Sequence, residues 1–448
     1  MPFKKKSVEA VTVTGAEIDA NKQQPISQDG LNSTNLNNFE LDESSTTPAE
    51  QAKRQQEVQK STMEVNKSTQ QAIAKARRKP EQFGLRKPVL EDIPKPDDQM
   101  QPLDNMICQL VIDKIWDTLC YLELFHFFNQ NQPKLQDVVN KATRHDYQII
   151  MELYNIPTLD YATDLCVLSL FDIIEIIDDS SSMKVSGTRD MSGNAMHTVD
   201  YDPTEESQPG LPSYNDMSRW EHVQYLVKLG AQVVTMFDDD GISVRFLNNR
   251  HQANNVITAN DVNGVFEIVR APGGGTPIGR SITSSFDDYV RTKMMSKTLP
   301  KPVLFLIYTD GVSGDSITTA IRNVRSLTTS TEYGSKAVLF SLFQVGSDRS
   351  ATEALKNLDE DEDKPPHSEN GAGDITDCTS SYRIEKAEYD EAQKRKSLEE
   401  RVEYTEFFHF LKGLIGPIMP KYDKADEAGG IPQTATGGRS IFGWATGR

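Results

Sequence analysis

The sequence predicts an α/β protein: a doubly wound, mostly parallel, Rossmann-like sheet, with a helical subdomain before it and a disordered region at the N-terminus. Three observations carry this expectation. From residue 170 onward, short apolar runs alternate with amphipathic segments, the pattern of parallel strands covered on both faces by helices. The first of these runs, LFDIIEII (170–177), stops abruptly in DDSSSM, as a buried strand does where it meets a polar loop. Residues 1–100, by contrast, are rich in Gln, Asn, Ser, Thr and Lys with few aromatics. Such a stretch cannot bury enough apolar surface to offset its ordering entropy.

The elements follow in chain order. Residues 1–100 form the low-complexity region. Its 49–80 portion has helix-forming composition but little apolar face, and its KARRKP end reads as a solvated charge run before it reads as a nuclear-import signal. Residues 101–162 form the helical subdomain. Cys108, Val111, Ile112, Ile115, Leu119 and Leu122 share one face at helical spacing, 133–157 holds two short helices ending at a proline, and LDYATDLCVLSL leads from a helix into the first strand. Residues 163–423 form the sheet domain. Strands are expected at 173–177, 242–248, 302–310 and 336–346 and in the short DITDC, with helices at 218–237, 260–269, 277–294 and near 315–328. A last helix places Tyr404, Phe407, Phe408, Leu411, Leu414 and Ile415 on one face, to pack on the sheet. A polar insertion (184–216) and an acidic loop (357–373) interrupt this domain, and a Gly-rich tail (424–448) ends in IFGW before the last four residues.

Composition narrows the function. A hydrophobic share of 37% is low for a chain folded throughout. A net charge of −18 argues against nucleic-acid binding, which needs a basic surface. The 4 cysteines show no CxxC spacing, so they read as reduced, mostly buried thiols of an intracellular protein. The start MPFKKKSVEAVTV has no apolar core of a secretory signal, and no run approaches the roughly 20 apolar residues of a membrane span. A cytoplasmic location is the default, with the nucleus as alternative.

Ligands of open α/β sheets bind beyond the carboxyl ends of the strands. Asp178, Ser180 and Ser182 follow the first strand as DxSxS. Thr276 stands in the glycine-rich loop APGGGTPIG before a helix, and Thr309-Asp310-Gly311 follows the strand near 303–308. Two carboxylates and three hydroxyls are hard oxygen donors that suit Mg²⁺, which binds about six oxygens and keeps some waters. Glycines 273–275 would let the backbone approach closely.

The set DxSxS, GGxTPxG and TDG, in this order and each at a strand end, resembles a von Willebrand factor A (VWA) domain with a complete metal-ion-dependent adhesion site, over roughly residues 165–420. The resemblance implies that Asp178, Ser180, Ser182, Thr276 and Asp310 hold Mg²⁺ or Mn²⁺, the serines directly and the rest directly or through water. A partner's Glu or Asp would complete the shell. It implies a non-enzymatic, metal-dependent protein-binding module of the intracellular type. Two departures stand out: Ser181 replaces a glycine common in the family, and the 184–216 insertion lengthens the gap from Ser182 to Thr276. The insertion should line the rim of the site.

Rival readings remain. GGTPIGRS (274–281) approaches a phosphate loop, but Arg280 stands for the lysine and DDSSS would go unexplained. The Asp178-Asp179 pair suggests phosphoryl transfer without a lysine to support it, and Asp179 reads as a solvated loop residue. Glu175, inside a buried-looking strand, should reach a polar edge or pair with a base. The 7 histidines form no zinc pattern. A scaffold acting through its disordered ends is the third reading, its metal site structural or filled by an internal acid such as Asp190 or Glu205.

Overall fold

A computed structural model describes residues 78–93, 104–185, 217–269, 272–362, 375–394, 404–419 and 421–422. Most of the N-terminal region, nearly all of the 184–216 insertion, most of the acidic loop and the IFGW tail lie outside the described residues. So do Asp190 and Glu205.

Residues 78–93 fall inside the stretch expected to stay out of any core, yet they pack. Leu85 is buried, and the Phe83 ring stacks on Phe125 with centroids 5.3 Å apart. Helix α1 (Asn105–Tyr121) starts at Asp104, which accepts a hydrogen bond from the Met106 amide and caps a free N–H of the first turn. The six residues singled out for its apolar face are all buried. Helices α2 (Gln132–Ala142) and α3 (Tyr147–Leu153) match the two expected there. Helix α4 (Leu159–Asp164) tightens into a 3₁₀ stretch (Leu165–Leu170), whose six residues are buried, and feeds β1 (Asp172–Ile177).

The rest alternates, with a strand at Ala253–Val256 and a helix at Tyr382–Gln393 that were not expected, and with residues 357–362 of the expected acidic loop continuing a helix. Helix α5 (Arg219–Phe237) opens with a reciprocal capping box between Ser218 and Glu221 and leads to β2 (Ile242–Phe246). A short strand β3 (Ala253–Val256) then turns back beside β2, before α6 (Ala259–Ile268). Helix α7 (Ile278–Ser285) runs through a π-helical stretch (Phe286–Arg291) into α8 (Thr292–Met295). Strand β4 (Val303–Thr309), α9 (Ile317–Thr329), β5 (Val338–Gln344), α10 (Arg349–Glu362), β6 (Thr376–Thr379), α11 (Tyr382–Gln393) and α12 (Glu406–Ile415) complete the order.

The six strands make one sheet in the order β3-β2-β1-β4-β5-β6, all parallel except the β2–β3 pair. Every residue of β1, β2, β4 and β5 is buried, which requires cover on both faces. The chain leaves β1 toward one edge and returns to build β4 on the other side. With right-handed crossovers, this winds helices onto both faces and opens a crevice where β1 and β4 part. The protein is therefore α/β with a Rossmann-like strand order.

The helical layer and the sheet share one core. Helix α12 has every residue from Phe407 to Ile415 buried, more than a single apolar face. On one side, Ser341 of β5 donates to the Gly413 carbonyl at 2.7 Å. On the other, Phe407 stacks on Tyr154 at 4.4 Å and Phe408 packs on Tyr161 at 5.1 Å. All four cysteines are free thiols, two buried and two half-buried. Among the described residues no helix is long and apolar enough to cross a membrane.

Candidate functional site

The crevice between β1 and β4 is where four of the five sequence-derived donors meet. Register pairs Ile177 with Tyr308, so Asp178 emerges beside Thr309, one residue before Asp310. The Asp178 amide donates to the Tyr308 carbonyl at 2.9 Å, carrying the ladder one step past the strand. Beyond it the backbone turns, because Asp178 Oδ1 accepts from the Ser180 amide at 2.8 Å. This is an aspartate turn, the local preference that also makes Asp-x-Ser common in ordinary loops.

The side chains then link across the two loops. Ser180 Oγ and Ser182 Oγ lie 2.8 Å apart, and Ser182 Oγ donates to Asp310 Oδ1 at 2.8 Å. Thr309 Oγ1 donates to Asp178 Oδ2 at 2.8 Å. Four of the five expected donors thus form one connected oxygen cluster. Asp178, Ser180 and Asp310 are buried, while Ser182 is half-exposed and opens the cluster to solvent.

Thr276 is held beside these loops through backbone contacts, and among the described residues no side-chain hydrogen bond joins it to the other four. The Gly273 amide donates to the Asp179 carbonyl at 2.6 Å, so the glycine-rich loop is tied to the first loop. Gly274 has φ +102°, and a Cβ there would lie 2.7 Å from Asn248 Oδ1, so glycine is required for this approach. From the other side, the Thr276 carbonyl accepts from the Gly314 amide at 2.8 Å and from Ser313 Oγ at 3.2 Å. Half-exposed Thr276 lines a shallow open pocket with Asn248, Gly275, Pro277, Arg280, Gly314 and Asp315.

Charge at the cluster is unbalanced. Burial, and then the neighbouring Asp310 carboxylate, push the Asp178 pKa up to about 6, although hydrogen bonds from Ser180 and Thr309 pull the other way. Asp310 has a cation of its own: Arg219, the first residue of α5, places Nη1 2.5 Å from Oδ2, with both side chains almost fully buried. With Asp178 ionised, two carboxylates face one guanidinium. Among the described residues no group of three or more His, Cys, Asp or Glu could hold a metal ion. A cation here would use Ser180, Ser182 and Thr276 as well as the two carboxylates. Such an all-oxygen, net-negative set fits Mg²⁺ or Mn²⁺ and suits softer metals poorly.

Two expectations are corrected. Asp179 is not a solvated loop residue. It is 3% exposed; Oδ1 accepts from the Asn248 amide and side-chain Nδ2, and Oδ2 from the Asn249 amide at 2.9 Å. It braces the end of β2 against the site. Glu175 reaches neither a polar edge nor a base: it is fully buried, with the Tyr308 hydroxyl 3.5 Å away and Gly230 against it. Burial holds its carboxyl well above the usual carboxylate range.

Sequence reasoning named Thr309 in the TDG motif without giving it a role, and missed Arg219, Asn248 and Asp315. The role of Thr309 and the presence of Asn248 were findable, since each residue closes or follows a strand at the edge already under inspection. Asp315 accepts from the Gly279 and Arg280 amides at 2.8 and 2.9 Å, capping α7 from 36 and 35 residues away. Arg219 carried no local signal. No family model matches the chain. No curated protein matches it either.

Proposed function

We propose that this chain is a non-enzymatic protein-binding module of the VWA type, which recognises an acidic side chain of a partner through a divalent cation. The observation that supports it is the convergence of Asp178, Ser180, Ser182 and Asp310 where β1 and β4 part, with one carboxylate more than the buried guanidinium neutralises. Asp178, Ser180, Ser182, Thr276 and Asp310 would hold Mg²⁺ or Mn²⁺ between them. The bound ion would supply a Lewis-acidic anchor for the partner's carboxylate. The protein's own part would be to hold these side chains on three loops braced by Asp179 and Asn248. Ser181 and Val312 stand exposed beside the cluster and offer a polar and an apolar contact to the same partner.

The phosphate-loop reading is opposed by Asp315. The amides at the start of α7, which would cradle a phosphate, already donate to its carboxylate. The test combines two measurements on the full chain. Calorimetric titration with Mn²⁺ should give one site that Asp178→Ala abolishes. Affinity capture from lysate should yield partners lost both in EDTA and with Asp178→Ala. Absence of any ion binding by the wild type would overturn the proposal.

A further inference from the structure

Arg219 is the buried charge at the site that the ligand set does not explain. Its guanidinium is 1% exposed, so it cannot reach a partner. It is built in. The Ser218–Glu221 capping box fixes the start of α5, and the Arg219 amide donates to the Val185 carbonyl at 3.0 Å. After β5 the chain makes room for the side chain at Gly346, where φ is +82° and a Cβ would lie 2.7 Å from Arg219 Nε. The Asp310 carboxylate is divided, Oδ2 to the guanidinium and Oδ1 to Ser182. An arginine does not lose its proton in a protein, so this positive charge is permanent.

We propose that Arg219 is a resident counter-cation that competes with the divalent ion for Asp310, holding the ion-free site together and lowering its cation affinity. This rests on the reading that Asp178, Ser180, Ser182, Thr276 and Asp310 bind a divalent cation. Without Arg219, Asp310 would be a buried carboxylate beside Asp178, and the ion-free fold would be the weaker for it. With it, an arriving ion meets a fixed positive charge already bound to one ligand. Like charges this close, away from bulk water, repel strongly. Arg219 thus makes occupancy depend on how much divalent cation is available, where two unopposed aspartates would hold the ion more tightly.

The test uses the full chain as wild type, Arg219→Gln and Arg219→Lys, titrated with Mn²⁺ by calorimetry and melted in EDTA and in saturating Mg²⁺. Arg219→Gln should bind Mn²⁺ about tenfold or more tighter than wild type, a conservative fraction of the removed repulsion. It should melt lower in EDTA and gain more from Mg²⁺ than wild type does. Arg219→Lys, which keeps the charge, should bind within a few-fold of wild type. Equal or weaker binding by Arg219→Gln would overturn the inference and leave the metal-site reading standing. No binding by any of the three proteins would remove both. Should Arg219→Gln fail to fold, the wild type decides through ¹⁵N-guanidinium NMR. The buried arginine signal should move on Mg²⁺ saturation, and an unmoved signal would overturn the inference.

Discussion

Two of the molecule's buried ion clusters stand on opposite terms. In the helical layer, the Lys114 ammonium, 2% exposed, lies 2.6 Å from Asp164 and 2.9 Å from Asp160. Lys421 pairs with the same two aspartates, and the Tyr422 hydroxyl donates to Asp164 at 2.6 Å. Two ammoniums meet two carboxylates, and each charge is neutralised where it stands. At the ends of β1 and β4, Asp178 and Asp310 meet one guanidinium and their remaining partners are hydroxyls and the Ser180 amide, while Asp179 beside them is held by amides alone. A balanced cluster asks nothing of solution; an unbalanced one has room for a further positive charge. The difference separates an internal clamp from a candidate binding site better than burial does, since both are buried.

The largest expected effect comes from unbalancing the clamp. Lys114→Ala leaves Asp164 in the core with half its cationic partners, and should cost about 3–5 kcal/mol in urea unfolding. The loss should be the same in EDTA and in Mg²⁺. Rescue by Mg²⁺ would mean that the two clusters are not independent.

Next comes relief of the imbalance at the site. The folded pKa of Asp178 is raised from 3.8 to about 6, so its ionisation opposes folding. The penalty is absent below about pH 4, grows between pH 4 and 6 and is complete above, on the order of 3 kcal/mol. In EDTA, Asp178→Asn should therefore be more stable than wild type at pH 8 and no more stable at pH 4. Urea midpoints at the two values check this. An Asn variant less stable at pH 8 would show that the hydrogen bonds from Ser180 and Thr309 outweigh the crowding of charge.

The smallest effect sharpens the comparison from the hydroxyl side. Ser182→Ala removes the bridge between Ser180 and Asp310 at a half-exposed position, so ion-free stability should fall by no more than about 1 kcal/mol. Cation affinity by Mn²⁺ titration should fall distinctly. A site whose serines only brace the loop would show the reverse.

How much of this could be read in the sequence divides along physical lines. Central strands bury every position, so they stand out as apolar runs, and the carboxyl-edge rule then locates Asp178, Ser180, Ser182, Thr276 and Asp310. Strand β3 (ANNV) went unforeseen because as an edge strand it keeps both asparagines exposed and needs no apolar period. Helix α11 carries many charges, and its buried Glu385 is held by Lys412 and His409 of α12, which only the folded chain brings near. Glu175 and Asp179 were misjudged for the same reason: the groups that let a carboxyl be buried, Tyr308 and Gly230 for one, Asn248 and Asn249 for the other, come from distant strands and helices. Arg219 stands 91 residues from Asp310, and nothing local to it points inward.

The sandwiching of α12 bears on how this protein can be cut and inherited. A piece starting at residue 163 would keep every strand but lose Tyr154, Tyr161 and Lys114. It would uncover the faces of Phe407 and Phe408 that pack on Tyr154 and Tyr161, and leave Asp164 paired with Lys421 but not with Lys114. Such a fragment should aggregate when produced alone, whereas one starting near residue 78 should not. Recombination that moved the sheet between genes would therefore have to carry the helices with it, so the unit of exchange is larger than the motif that holds its chemistry.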